Sequence, residues 1–215
     1  MKKNAIEVFG EWADLDKDFG MEKNHKDSVI NMINYSIKNL NHFTFIDAGC
    51  GNGWVIRKVS ENKKCEKAIG VDGSKKMIAK AKKILPGYEY HCADLMTWRP
   101  YEKVDIVHSM EVIYYVEDPK KLINDIFNFW LKPNGRLIIG IDFYFENKIS
   151  HSWPESCGIK DMKLFSEKDW MNFFKSAGYN DIKSWRYGEK EDWKGTLVVT
   201  GIKYTIFSHI AQELI

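Results

Sequence analysis

An apolar run ends in an acid and passes at once into a turn with glycine at every second position: Phe45-Ile46-Asp47-Ala48-Gly49-Cys50-Gly51-Asn52-Gly53. No other segment constrains the chain as much. Glycine permits the positive φ of a tight strand-to-helix turn and removes the Cβ that would hold a ligand away from the backbone. A turn of this kind at the carboxyl end of a first strand is where nucleotide-like cofactors sit in doubly wound sheets. The dinucleotide fingerprint needs a small residue three positions after its second glycine, and here that position is Trp54. A nicotinamide dinucleotide is therefore the runner-up cofactor.

Three further segments repeat the pattern of a strand closed by an acid. Ala68-Ile69-Gly70-Val71-Asp72-Gly73-Ser74 lies about twenty residues beyond the glycines, where a carboxylate can accept both ribose hydroxyl hydrogens of an adenosine cofactor. Tyr90-His91-Cys92-Ala93-Asp94-Leu95 reads as a third strand with its acid. Val104-Asp105-Ile106-Val107-His108-Ser109-Met110-Glu111-Val112-Ile113-Tyr114-Tyr115-Val116, followed by Glu117-Asp118-Pro119, reads as a fourth strand and its exit. Together these landmarks resemble the class I S-adenosylmethionine-dependent methyltransferases, firmly over residues 43 to 142 and by topology elsewhere.

The resemblance implies S-adenosyl-L-methionine as cofactor. It implies a binding set of Asp47, Gly49, Cys50, Gly51, Asp72, Gly73, Met77, Asp94, Leu95 and Ser109. In the family the first-strand acid and glycines cradle the amino-acid end of the cofactor. The Asp94 position meets the adenine amine, and the end of strand four floors the site beneath the methyl group. Met77 either meets the adenine or fills the core of a helix capped by Ser74.

The chain of 215 residues suits a single domain. That domain divides into an N-terminal lid and helix (1–42), a cofactor core (43–142), a substrate-side loop, helix and hairpin (143–204), and an amphipathic tail (205–215). A net charge of +2, with lysines matched by acids, gives no reason to expect nucleic acid. No run is long enough to span a membrane. Cys50, Cys65, Cys92 and Cys157 are scattered without a C-x-x-C pair, so neither a disulfide framework nor a metal site is indicated. A cytoplasmic enzyme is the expectation.

Asn24 to Leu40 has apolar residues at helical spacing, and a helix from about Trp54 to Glu61 follows the glycine turn. Asp118-Pro119 starts another helix, Lys132-Pro133-Asn134-Gly135 is a turn, and Arg136 to Ile141 is a fifth strand. Ser166 caps a helix that Gly178 closes. Asp181 to Tyr187 and Gly195 to Tyr204 are strands joined by too few residues for a crossover helix, hence a hairpin. The fold class is α/β: a doubly wound, mostly parallel seven-stranded sheet with helices on both faces and a C-terminal antiparallel hairpin. The tail from Ile206 to Leu214 packs on the body or on a second copy of the chain, which would make a homodimer.

Methyl transfer from a sulfonium is an in-line displacement, so holding nucleophile and methyl close and collinear in a water-poor pocket matters most. A general base is needed only for a nucleophile protonated at working pH. Glu111 and Tyr114, just past strand four, are the candidate catalytic residues; their blander alternatives are a cap and a packing aromatic. A related subgroup has a Glu-His pair where this chain has Tyr114-Tyr115. His108, inside strand four, reads as a core histidine. His25 and Trp12 belong either to a lid or to solvated surface. Phe143 to Lys163, rich in aromatic and acidic residues, is placed to overhang the site, and would suit a cationic or amine-bearing substrate. The Asn/Asp-Pro-Pro-aromatic signature of base-amine methylation is missing after strand four. The expected activity is methyl transfer to a nitrogen or oxygen nucleophile of a small polar metabolite. The alternatives are a protein or RNA acceptor, or a non-catalytic subunit that activates a partner.

Overall fold

In the computed structural model, which describes residues 2–204, seven strands form one sheet. They are Phe43–Ala48 (β1), Cys65–Asp72 (β2), Glu89–Cys92 (β3), Val104–Met110 (β4), Leu131–Ile141 (β5), Asn180–Tyr187 (β6) and Thr196–Ile202 (β7). Their order is β3-β2-β1-β4-β5-β7-β6. The first five run parallel, while β7 lies antiparallel to both β5 and β6. The expected C-terminal hairpin is thus present, with its second strand inserted beside β5. The tail from Ile206 to Leu214 lies outside the described residues.

The strands read as continuous apolar runs because both faces are covered. On one face Ile46, Val107, Leu137 and Ile139 pack with Leu122 and Ile123 of Pro119–Asp125 (α5) and with Trp170 and Phe174 of Glu167–Ala177 (α7). On the other, Phe43, Phe45, Ile106 and Ile138 meet three helices. These are Phe19–Ile37 (α2), Trp54–Ser60 (α3) and Lys75–Ile84 (α4). Neighbouring residues of one strand point to opposite cores, as the pleat requires. Ala5–Asp14 (α1) is a further helix at the N-terminus, and the short Trp153–Ser156 (α6) lies between β5 and α7.

Local signals set most helix ends. Asp118 accepts a hydrogen bond from the Lys121 amide, with Pro119 in the first turn. Ser166 and Asp169 form a capping box, and Gly178 closes that helix at φ +97°. Several boundaries differ from the sequence reading, four of them by more than a residue or two or at the site. The polar start folds as α1, whose Asn4 and Glu7 also make a capping box. Helix α2 begins at Phe19 rather than Asn24, which brings His25 inside it. Strand β3 stops at Cys92, so Asp94 sits in the turn beyond it. The Lys132–Gly135 turn is an excursion within β5, between the pairs Val104–Leu131 and Ile106–Arg136, with Asn134 at φ +63°.

Strand β1 is flanked by β2 on one side and β4 on the other, so successive crossovers part at its carboxyl end. That switch point is where a doubly wound sheet leaves a crevice.

Candidate active site

The glycine turn leaves β1 with Gly49, Gly51 and Gly53 at φ +85°, +52° and +78°. Two of the three are also demanded by packing. A Cβ on Gly49 would lie 2.2 Å from Val112, and one on Gly53 would lie 2.7 Å from the Tyr90 ring. A Cβ on Gly51 would meet nothing within 4 Å, so this backbone faces open space. The Gly49 and Cys50 amides donate to the Val71 carbonyl, which fastens the turn to β2.

Around this turn lie two clefts. The outer one encloses about 260 Å³ between Asn4, Ala5, Ile6 and Phe9 of the N-terminal segment and the sheet edge at Gly49, Asp72, Gly73, Asp94 and Leu95. Val112, Tyr115 and Glu117 close its third side. The inner one is barely larger than a water, about 20 Å³, and lies among Asp18, Met21, His25, Asp47, Gly51 and Glu111.

Asp72 is held at the boundary. Its Oδ2 accepts the Gly51 amide at 2.9 Å and its Oδ1 the Ser74 amide at 2.7 Å. Each oxygen keeps a second acceptor site. Burial pushes this carboxyl up, against the two amides that pull it down. Asp94 accepts the Met96 amide at 2.9 Å, an Asx turn at the far end of the cleft. An adenosine with two vicinal hydroxyls and an exocyclic amine fits this set of acceptors, and the bare backbone at Gly51 admits a close neighbour.

Other predicted residues are differently engaged. Asp47 is buried and bonded to His108 Nδ1 at 2.7 Å across the β1–β4 pair, while His108 Nε2 has no partner. Ser109 Oγ donates to the Ala48 carbonyl, tying β4 to β1. Cys50 lines the inner cleft, and burial raises its thiol. Met77 is buried and lines neither cleft. No residue lining the two clefts comes from Phe143–Lys163. Phe143 and Tyr144 are core, and the Tyr144 hydroxyl donates to the Lys194 and Gly195 carbonyls. The segment instead brackets the N-terminus, through Lys3 to Gly158 and Lys160 to Lys3 backbone bonds.

Past β4 the chain bends at Glu111, a non-glycine residue at φ +57°. Its buried carboxylate accepts the Tyr114 hydroxyl at 2.7 Å and the Asp142 amide. Tyr114 is wholly buried and lines neither cleft, so it orients Glu111 from behind. Opposite, His25 donates from Nδ1 to the Met21 carbonyl at 2.8 Å and places Nε2 3.4 Å from Asp142 Oδ2. One nitrogen of His25 and one carboxylate oxygen each of Glu111 and Asp142 all lie within 4.8 Å of one another. Burial and the Asp142 charge push Glu111 up to about 8, although His25 pulls the other way. Burial opposes a charge on His25, but the Asp142 hydrogen bond and the charges of Glu111 and Asp142 outweigh it, raising the imidazole to about 9.

Sequence reasoning named His25 only by position and did not name Asp142 or the α1 residues Ile6 and Phe9. Asp142 follows Leu137-Ile138-Ile139-Gly140-Ile141, and an acid closing an apolar strand was the signal used for Asp47 and Asp72.

Residues 46–139 match the family model described as a methyltransferase domain. Over 153 residues the chain is 26% identical to a trans-aconitate 2-methyltransferase of Azoarcus sp. (strain BH72), covering 71% of this chain and 60% of that protein. It thus spans about three fifths of that relative's length, and little more than a third of the trans-aconitate 2-methyltransferases of Variovorax paradoxus and Klebsiella pneumoniae. Among solved structures, a complex between the Haloferax volcanii Trm112 methyltransferase activator and a methyltransferase matches with TM-score 0.77 and 25% identity, over 95% of this chain and 100% of that one. The N-methyltransferase NodS of Bradyrhizobium japonicum, bound to S-adenosyl-L-homocysteine, matches the fold with TM-score 0.66 and 15% identity, over 82% and 86% of the two chains.

Proposed function

We propose that the chain is a class I S-adenosylmethionine-dependent methyltransferase, and that it methylates a nitrogen or oxygen nucleophile of a small polar metabolite in the cytoplasm. The observation that carries the reading is the cleft at the carboxyl edge of β1, β2 and β4, with Asp72 and Asp94 along one wall and the Gly49–Gly53 turn at its end. Asp72 would hold the ribose hydroxyls, Asp94 and Leu95 the adenine, and Gly49, Cys50 and Gly51 the amino-acid end. Asp47 and Ser109 would brace the turn from below, and Met77 would support the α4 wall.

Bound S-adenosylmethionine supplies an electrophilic methyl carbon. The chain supplies position and exclusion of water: α1 roofs the cleft, with Ile6 against Gly73 and Phe9 against Tyr115 at 5.4 Å between ring centroids. Glu111 is placed to take a proton from the nucleophile, and Tyr114 keeps it in position. Calorimetry with S-adenosylmethionine and with nicotinamide dinucleotides tests the cofactor assignment. We expect binding of the first, and tight binding of the second alone would contradict it.

A second reading, catalysis that depends on a partner protein, is favoured by the Haloferax complex, whose methyltransferase is covered along its whole length.

A further inference from the structure

Behind the glycine turn lies a buried polar pair. Asp47 and His108 sit directly across the β1–β4 pair, and His108 Nδ1 meets Asp47 Oδ1 at 2.7 Å. His108 is 0% exposed, and its Nε2 has no hydrogen-bond partner. That bare nitrogen fixes the tautomer. A proton on Nε2 would be buried without an acceptor, so the ring proton sits on Nδ1 and is donated to Asp47. An apolar residue would fill this strand position without an orphan nitrogen. It would also leave Asp47 Oδ1 buried and without a donor, which costs more than the orphan does.

The ring is held firmly. Phe45 stacks on it at 5.8 Å between centroids, and Ser109 Oγ ties the same stretch of β4 to the Ala48 carbonyl at 2.7 Å. One oxygen of Asp47 is thereby occupied, and the carboxylate is kept in one orientation. The other oxygen, Oδ2, accepts no hydrogen bond among the described residues. Asp47 lines the inner cleft beside Gly49, Cys50 and Gly51, and Gly49 also lines the outer one. Among the described residues lining the inner cleft there is no Lys or Arg, and Asp18 is already matched by Lys80 and by the Asn52 side-chain amide. At about 20 Å³ this cleft takes a group the size of a water, which an ammonium is and a carboxylate is not.

Building on the methyltransferase reading above, we propose that His108 is a positioning residue for the cofactor, turning Asp47 so that its free oxygen receives the α-ammonium of S-adenosylmethionine. His108 touches no ligand atom in this scheme and acts through Asp47 alone. Asp72 and Asp94, assigned to the adenosine half, line the other cleft, so His108 bears on one end of the cofactor only. Without the Nδ1 donor the carboxylate is free to turn, and the ammonium loses a preorganised charge-assisted partner.

The test is calorimetry with two ligands. S-adenosylhomocysteine carries the amino-acid end; 5′-methylthioadenosine keeps the adenosine and the sulfur but lacks that end. Wild-type protein binds the first at least about tenfold more tightly, the value of one charge-assisted bond. His108→Leu erases most of this preference, while 5′-methylthioadenosine affinity stays within about twofold. His108→Asn, whose amide N–H falls near the Nδ1 position, restores it. A histidine with a merely structural role would affect both ligands alike. Should the leucine variant not fold, His108→Gln, whose amide reaches the Nε2 position instead, carries the same expectation. Overturning results are an equal loss for both ligands, the full preference retained in a folded leucine or glutamine variant, no rescue by asparagine, or wild-type protein that binds the two ligands equally. Wild-type protein that binds neither of them, nor S-adenosylmethionine, fails the methyltransferase reading itself, and that failure is recognised before any variant is compared.

Discussion

Asp72 does two things at once. It accepts the amides of Gly51 and Ser74, and it presents its remaining acceptor sites to the outer cleft. Asp72→Ala is therefore expected to weaken S-adenosylmethionine by at least about tenfold, since charge-assisted bonds to a ribose are lost. It is also expected to lower the free protein's stability by about 1–3 kcal/mol, because two turn amides lose their acceptor. Calorimetry and urea unfolding on one preparation check both, and unchanged affinity would place the ribose elsewhere. The inner cluster gives a pH signature. His25, raised from 6.5 to about 9, contributes stability that is fully present below pH 6.5 and lost as the pH passes 9. Glu111, raised from 4.5 to about 8, has the same sign, because the fold favours its protonated form and stability falls as that proton leaves. Unfolding free energy should therefore fall as the pH rises from about 4.5 to 9, by on the order of 1–3 kcal/mol, and Glu111→Gln should flatten the slope below about pH 8. A stability that rises over this interval would contradict the assignment.

At the scale of elements, the parallel strands were the most legible part of the chain. Each is buried on two faces and so reads as an apolar run, and its acid falls at the sheet's carboxyl edge because water and ligand begin there. Ser166, Asp118 and Gly178 marked helix ends through purely local chemistry. Helix α1 carries a capping box as clear as theirs, yet its half-exposed residues make sense only against α4 and Tyr115, which lie far along the chain. His25 and Asp142 are separated by more than a hundred residues, and only the fold brings them to 3.4 Å. In the Phe143–Lys163 segment the first two aromatics complete the core, while the Lys163 amide donates to the Tyr114 carbonyl past β4. If α1 is the roof of the cofactor cleft, Phe9→Ala removes one wall of the cleft and the edge contacts to Trp12 and Tyr115. S-adenosylhomocysteine should then leave about two to ten times faster, from the worth of an aromatic pair. Stopped-flow release measures this, and an unchanged rate would mean that α1 does not gate the cleft.

For the molecule as a whole, the sheet order puts three acid-ended strands side by side at one edge and turns the fourth loop, at Glu111, across them. The antiparallel β7 lengthens the sheet beside β5 and so fixes the strand end from which Asp142 meets Glu111. No helix among the described residues is long and apolar enough to cross a membrane. The outer cleft, the α1 helix over it and the Glu111 cluster are all built from this chain, as the proposed enzyme acting by itself on a small acceptor requires. The most direct test is transfer of isotope-labelled methyl from S-adenosylmethionine by the purified chain in a metabolite extract. Label is expected in low-mass products, without a second protein. Label confined to macromolecules, or none until a partner protein is added, would contradict this.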